Sequence, residues 1–107
     1  MATHTFQTSA GPLSVPASEP VPGLHVFEIP TNVSPNSVHR WITSHHDGVA
    51  LASFTTETAA TDAAQAVGPL ANWTLTAMTT ANEISLSDNT DHLLDLLRRH
   101  GGHHPNA

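Results

Sequence analysis

Apolar and polar positions form their clearest pattern in residues 38–70, where they alternate with a period of two and then repeat at helical spacing. Two alternating runs flank the dipeptide Asp47-Gly48, which is typical of tight turns between antiparallel strands. The alanine-rich run 57–67 follows, with small apolar residues at helical spacing. We therefore predict a β-hairpin followed by a helix, and this β-β-α unit is the centre of the predicted fold.

The register of this hairpin has two interpretations. A two-residue turn would place Thr43 opposite Ala52, whereas a three-residue loop with Gly48 in the left-handed bulge position would place Thr43 opposite Leu51. A shift of one residue exchanges the side chains that face the two sides of a sheet. The sequence leaves both registers open.

Four further runs carry a recognisable period. Residues 23–29 and 72–78 alternate in polarity and are predicted to be strands, and residues 84–87 could form a short strand. Residues 88–100 carry a leucine stripe, with an acidic residue near the start and two arginines near the end. That charge arrangement suits the helix dipole, so we predict a second helix there.

Together these elements predict one small α+β domain in residues 23–100. Its antiparallel sheet, built around the central Asp-Gly hairpin, should be covered on one face by two helices, in the order β-β-β-α-β-α. Residues 1–22 contain four prolines among small polar residues and are predicted to be a flexible arm. Residues 101–107 are expected to be a disordered, histidine-containing tail. The chain has 107 residues and is 38% hydrophobic, so its core is small and a dimer could add stability.

The charge of the chain excludes one class of partner. Three arginines, no lysine and nine acidic residues give a formal net charge of -6, which nine histidines could offset at lower pH. Nucleic-acid binding requires clustered basic side chains that displace counterions, so no DNA or RNA partner is expected. No run is long and apolar enough to span a membrane, so we expect no membrane association and a cytoplasmic location.

Histidines are the main candidates for metal chemistry, because imidazole binds zinc, nickel or copper. Neighbouring strand residues point to opposite faces, so the two histidines at the hairpin tip could share a metal ion only if the turn is distorted. The N-terminal sequence could enclose copper or nickel if Met1 is removed, and the C-terminal tract has three imidazoles around glycines. The candidate metal ligands are His4, His45, His46, His100, His103 and His104.

Large aromatic and leucine side chains are candidates for protein contacts. Trp41 and Trp73 would concentrate binding energy if they are exposed, although a small core favours their burial. The leucine stripe of the second predicted helix could face the core or dock another chain. Its candidate residues are Leu93, Leu94 and Leu97.

The sequence patterns of common enzymes are missing from the chain. It has no cysteine, no glycine-rich phosphate loop, no GxSxG and no HExxH. We therefore expect a small acidic, non-enzymatic module without a cofactor, which binds another protein or itself, and its negative charge suits a basic partner. The alternative is a histidine-dependent metal-binding protein or metal-using enzyme. A third hypothesis is a pH sensor in which titration of His39, His45 or His46 alters an interface near pH ~6.

Overall fold

The computed structural model describes residues 2–8, 11–30 and 38–103. Within these ranges a five-stranded antiparallel sheet precedes three α-helices, so the predicted α+β class is confirmed. The strands lie side by side in chain order, and none of the described helices has the length and apolar character needed to cross a membrane. The elements are β1 (Ala2–Thr8), β2 (Gly11–Val21), β3 (Leu24–Glu28), β4 (Trp41–His45), β5 (Ala50–Phe54), α1 (Glu57–Val67), α2 (Ala77–Leu86) and α3 (Thr90–Arg99).

Helix α1 begins and ends where the sequence predicts. Thr56 caps its N-terminus, because the Thr56 side chain accepts a hydrogen bond from the backbone N–H of Ala59 at 3.1 Å. Buried alanines let α1 lie close to the sheet, and the Thr43 hydroxyl of β4 donates to the Ala60 carbonyl at 2.9 Å. We call the sheet face under α1 the inner face. Its core combines Leu24, Val26, Ala52 and Phe54 with Ala60, Ala63, Ala64, Val67, Trp73, Ile84, Leu93 and Leu97.

Strands β1 and β2 form a hairpin. The C-terminal end of β2 pairs with β3, and the rest of the hairpin bends back over the other side of β3 and β4, which we call the outer face. Val15 and Ala17 of β2 pack against Phe27 of β3 and Ile42 of β4, which makes a second, smaller core. We predicted a flexible arm in residues 1–22, and the structure instead has two paired strands there. The prolines argued against strands here, because proline normally interrupts a strand. In addition, the residues that pack on this hairpin lie far away in the sequence.

Both interpretations of the central hairpin register are correct in part. At the tip, the Gly48 N–H donates to the His45 carbonyl and the His45 N–H donates to the Val49 carbonyl, both at 2.9 Å. With Gly48 at a φ of 96°, this is the three-residue loop with a left-handed glycine. A bulge then shifts the pairing, so Thr43 lies opposite Ala52 as the two-residue turn predicts.

Two predicted strands are wrong. Residues 72–78 form turns and the start of α2, and residues 84–87 form the end of α2 and its C-cap. The threonines that suggested a half-exposed strand have local roles instead. The Asn72 side-chain carbonyl accepts a hydrogen bond from the Thr74 N–H at 3.1 Å, and the Thr76 side chain caps α2. The observed order is therefore five strands followed by three helices.

The segment after α3 is partly placed against the sheet. The Gly102 N–H donates to the Leu97 carbonyl at 2.9 Å, which closes the C-terminus of α3. His103 then exchanges two backbone hydrogen bonds with Ser53 of β5, at 2.8 and 3.0 Å. The first three residues of the predicted disordered tail are thus structured, and residues 104–107 lie outside the described residues.

Candidate functional site

The hairpin tip brings three potential metal ligands together. His45 ends β4 and His46 opens the three-residue loop, and their ring centroids are 4.2 Å apart. One ligating atom from each of His45, His46 and Asp47 lies within 4.8 Å of the others. We expected adjacent strand residues to diverge, but the loop begins at His46, so the strand geometry does not apply to it.

The hydrogen bonds of His45 occupy both of its ring nitrogens. Its Nδ1 accepts a hydrogen bond from the Asp47 N–H at 3.0 Å, which assigns the ring proton to Nε2. The Nε2 faces the Thr80 hydroxyl oxygen at 3.5 Å, and that hydroxyl donates to the Asn72 carbonyl at 3.0 Å. Burial lowers the pKa of His45 and the nearby His46 lowers it further, so the ring is neutral at pH ~7. A metal ion could reach the Nδ1 lone pair only by displacing the Asp47 N–H.

His46 and Asp47 anchor the tip, and one ligating atom of each faces the other. His46 Nε2 donates to the Leu75 carbonyl at 3.0 Å, and its Nδ1 lies 3.5 Å from Oδ1 of Asp47. One carboxylate oxygen of Asp47 accepts the Ala77 N–H at 2.8 Å, and Ala77 is the first residue of α2. The negative charge thus lies at the positive end of α2, and the tip holds this helix against the sheet.

A second histidine pair is buried on the outer face. His4 of β1 is 1% exposed and its ring stacks on Phe27, with centroids 4.5 Å apart. Its Nδ1 lies 3.0 Å from Nδ1 of His25, and its Nε2 lies 3.5 Å from the Ser44 hydroxyl. Burial and the neighbouring His25 lower the pKa of His4 to about 4. The Nδ1 that an N-terminal copper site would use is therefore already in a hydrogen bond.

His25 links this pair to a carboxylate. Its Nε2 lies 3.9 Å from Glu19, whose side chain also accepts the Gly23 N–H at 2.9 Å. Burial lowers the pKa of His25, and the charge of Glu19 partly opposes that shift. Ser44 is 1% exposed, so this serine and its histidine neighbours have no access to a substrate. The arrangement is a buried structural network.

The C-terminal candidate ligands lie elsewhere in the fold. His100 is half-buried at the end of α3, and His103 is exposed beside β5, with its ring centroid 5.6 Å from that of His39. His104 lies outside the described residues. The described parts of the chain contain no other group of three metal-binding side chains besides the one at the hairpin tip.

Most of the predicted interaction residues are part of the core. Trp73 is buried, and its indole N–H donates to the Val67 carbonyl at 3.2 Å. Leu93 and Leu97 are buried against the inner face, while Leu94 is half-buried. The leucine stripe is therefore largely a packing surface, and Trp41, which is half-buried, is the predicted aromatic that still borders open space.

Trp41 lines a cleft of about 670 Å³ that sequence reasoning did not find. The cleft lies beside the register shift between β2 and β3, and its walls are mainly apolar. Three carboxylates border it, Glu19 of β2, Glu28 of β3 and Glu57 of α1, so we call it the acid-rimmed cleft. Because these acids come from three separate elements, the only sequence signal was the overall negative charge. The lining residues are Val15, Pro16, Ala17, Ser18, Glu19, Val26, Phe27, Glu28, Pro30, Trp41 and Glu57.

No family model matches the chain, and searches of curated proteins and of solved structures also found no match.

Proposed function

We propose that the chain is a small acidic interaction module, and that its acid-rimmed cleft binds a basic, extended segment of a partner protein. The observation that carries the proposal is the combination of an apolar floor with a rim that bears three carboxylates. The half-buried Trp41 supplies aromatic surface, which concentrates binding energy at interfaces. The rim carboxylates favour arginine or lysine at the edges of the same cleft.

The chain already places one guanidinium beside this rim. Arg40 approaches Glu28, with its Nε 3.6 Å from the carboxylate, and also donates to the Ile29 carbonyl. Exposed ion pairs of this kind contribute only about 0 to 1 kcal/mol each. The apolar floor and Trp41 must therefore supply most of the affinity, with the carboxylates selecting for positive charge and accelerating association.

A second copy of the chain is a poor source for the basic segment. The sequence contains three arginines and no lysine. Arg40 is engaged at the cleft itself, and Arg99 pairs with Asp95 on α3 at 2.8 Å. We therefore assign the cleft to a different protein, and a cytoplasmic location stays part of this proposal.

The proposal can be tested by NMR titration with two synthetic peptides, acetyl-Val-Arg-Val-Arg-Val-amide and its Glu-containing counterpart. The basic peptide should shift the Trp41 indole signal saturably, and the acidic peptide should not. The double variant Glu28→Gln/Glu57→Gln should bind the basic peptide about tenfold more weakly, since two ion pairs of up to about 1 kcal/mol are lost. Glu19 is left unchanged because it also holds the Gly23 N–H.

The matched control is Asp62→Asn/Asp88→Asn, which removes the same charge from exposed positions outside the cleft. The control should retain nearly all of the affinity. Equal affinity for both peptides, or an equal loss in the two double variants, would contradict the proposal. A dimer that buries the cleft and binds no peptide would identify a second copy as the occupant and would also overturn it.

Zinc binding at the hairpin tip is a second candidate function, favoured by the proximity of His45, His46 and Asp47. His46 Nδ1 and one Asp47 oxygen face each other at 3.5 Å, and His45 could join them on a zinc ion only if its Nδ1 released the Asp47 N–H. If the site is real, one equivalent of zinc should raise the melting temperature, and His46→Gln should abolish the rise. His92→Gln, an exposed change on α3, is the control. An unchanged melting temperature would exclude this function.

A further inference from the structure

A second pocket lies between the β4–β5 hairpin and helices α2 and α3, separate from the acid-rimmed cleft. Its volume is about 210 Å³. Its walls come mainly from apolar side chains, with Trp73, Ile84 and Leu93 among those that are buried. We call it the hairpin pocket. Its lining residues are His45, Val49, Leu51, Trp73, Ala77, Thr80, Ala81, Ile84, Thr90 and Leu93.

The hairpin pocket contains a buried imidazole with one long hydrogen bond. His45 and Thr80 both line the pocket and are each 2% exposed. The Nε2–H of His45 lies 3.5 Å from the Thr80 oxygen, which is at the long limit for a hydrogen bond. The Thr80 hydroxyl has a better partner in the Asn72 carbonyl at 3.0 Å. A ligand oxygen that accepts the Nε2–H of His45 would therefore replace this long contact to Thr80 and would compete with the hydrogen bond between His45 and the Leu75 backbone.

We propose that the hairpin pocket binds a neutral, single-ring apolar molecule that carries one hydrogen-bond acceptor. The acceptor would take the Nε2–H of His45, and the ring would lie among Trp73, Ile84 and Leu93. Its size follows from the volume, because a cavity of ~150 Å³ holds benzene and this pocket has room for a few more atoms. An apolar pocket with one convergent polar group is the usual form of a small-molecule site.

The neutral state of His45 selects against charged ligands. The Nδ1 of His45 accepts the Asp47 N–H, so the ring holds a single proton and carries no charge to compensate a carboxylate. A carboxylate would lose its hydration in this apolar pocket without an ionic partner, which is unfavourable. A ketone or ether oxygen loses much less hydration and can still accept the Nε2–H.

The experiment is an NMR titration of the full chain with acetophenone, ethylbenzene and benzoate, which share ring size and differ in the acceptor. Acetophenone should shift the Trp73 indole and Ala81 amide signals saturably. Ethylbenzene should bind about fivefold more weakly because it lacks the acceptor, and benzoate should not saturate. Ala81→Phe, which fills the exposed mouth of the pocket, should lower the affinity for acetophenone by at least about tenfold.

Asn82→Phe is the matched control, because it adds the same ring to an exposed α2 position that does not line the pocket. It should bind acetophenone like the unmodified chain, as should Glu28→Gln/Glu57→Gln in the acid-rimmed cleft. No saturable shift with acetophenone would overturn the proposal, and so would equal weakening by Ala81→Phe and Asn82→Phe. Equal binding of ethylbenzene and acetophenone would exclude His45 as the donor.

Discussion

The two faces of the sheet bury different chemistry. Beneath α1, the inner face is filled by aliphatic and aromatic side chains around three fully buried alanines. The outer face has a small apolar cluster and, beside it, two buried histidines hydrogen-bonded to each other. The sheet therefore holds α1 by close packing on its inner face, and it holds the β1–β2 hairpin partly by a polar network on its outer face. The inner face should therefore be sensitive to volume and the outer face to protonation.

The largest loss of stability should come from a substitution in the turn between β2 and β3. Gly23 has a φ of 90°, and a Cβ built on it would lie 2.1 Å from the Trp73 carbonyl oxygen. Gly23→Ala must displace backbone, so we expect a loss of at least about 3 kcal/mol in the free energy of unfolding. Urea denaturation followed by tryptophan fluorescence measures this loss.

Gly11→Ala separates the cost of backbone strain from the cost of the steric clash with Trp73. Gly11 has a φ of 110°, but a Cβ built on it would meet no atom within 4 Å. Only backbone strain applies there, so the cost should be about 1 kcal/mol. If the two variants lose the same stability, the close approach between Gly23 and Trp73 has no energetic importance.

Volume sensitivity can be compared directly with one buried alanine from each face. Ala63 is fully buried between α1 and the inner face, whereas Ala17 is buried on the outer face but lines the acid-rimmed cleft. Ala63→Leu should cost about 2 to 3 kcal/mol because the added atoms have no space. Ala17→Leu should cost less than about 1 kcal/mol, because its side chain can extend into the cleft. Thermal or urea unfolding of both variants gives the comparison.

A larger loss in Ala17→Leu than in Ala63→Leu would reverse the assignment of the tighter packing to the inner face. Gln65→Leu adds a similar side chain at an exposed position of α1 and should be close to neutral. It controls for changes in helix propensity.

The parts of the fold that the sequence predicts are local. The central hairpin and α1 were found because their patterns lie within one short stretch with a turn and a cap. Residues 72–78 were misassigned because threonine favours both half-exposed strands and helix caps, and tertiary contacts decide between them. The β1–β2 hairpin was missed because Val15 and Ala17 pack on residues of β3 and β4, and a local period in the sequence does not reveal such contacts.

The candidate sites show the same limit. His45, His46 and Asp47 are adjacent in sequence, so the sequence alone identifies them as a group. The acid-rimmed cleft draws its carboxylates from three elements, and the hairpin pocket draws its walls from the hairpin and two helices. Such sites depend on the global packing of the chain.

Protonation should weaken the outer face as pH falls. The pKa of His4 is about 4 in the folded chain, against an ordinary value of 6.5 that applies when it is unfolded. The unfolded chain therefore binds this proton first, so stability is full above pH ~6.5 and is lost as the pH falls toward ~4. We expect a loss of about 2 kcal/mol between pH ~7 and ~5 from His4.

The measurement is the free energy of unfolding by urea across this pH range, for the unmodified chain and for His4→Gln. The variant should lose most of the His4 contribution to the slope, whatever its stability at neutral pH. His25, whose pKa is also lowered by burial, and Glu19, which faces His25, are retained in both chains. His92→Gln on the surface of α3 should leave the slope unchanged. Parallel curves for His4→Gln and the unmodified chain would show that His4 is not the titrating group.

The smallest effect on stability should come from the hairpin tip, where the Asp47 carboxylate meets the N-terminus of α2. One Asp47 oxygen accepts the Ala77 N–H at 2.8 Å at the start of the helix. Asp47→Asn keeps an acceptor oxygen but removes the charge at the positive end of α2, so it should cost up to about 1 kcal/mol. Amide hydrogen exchange should become faster in α2 and stay unchanged in α1. Faster exchange in both helices would mean that the tip supports the whole inner face, and the local role of Asp47 would then be wrong.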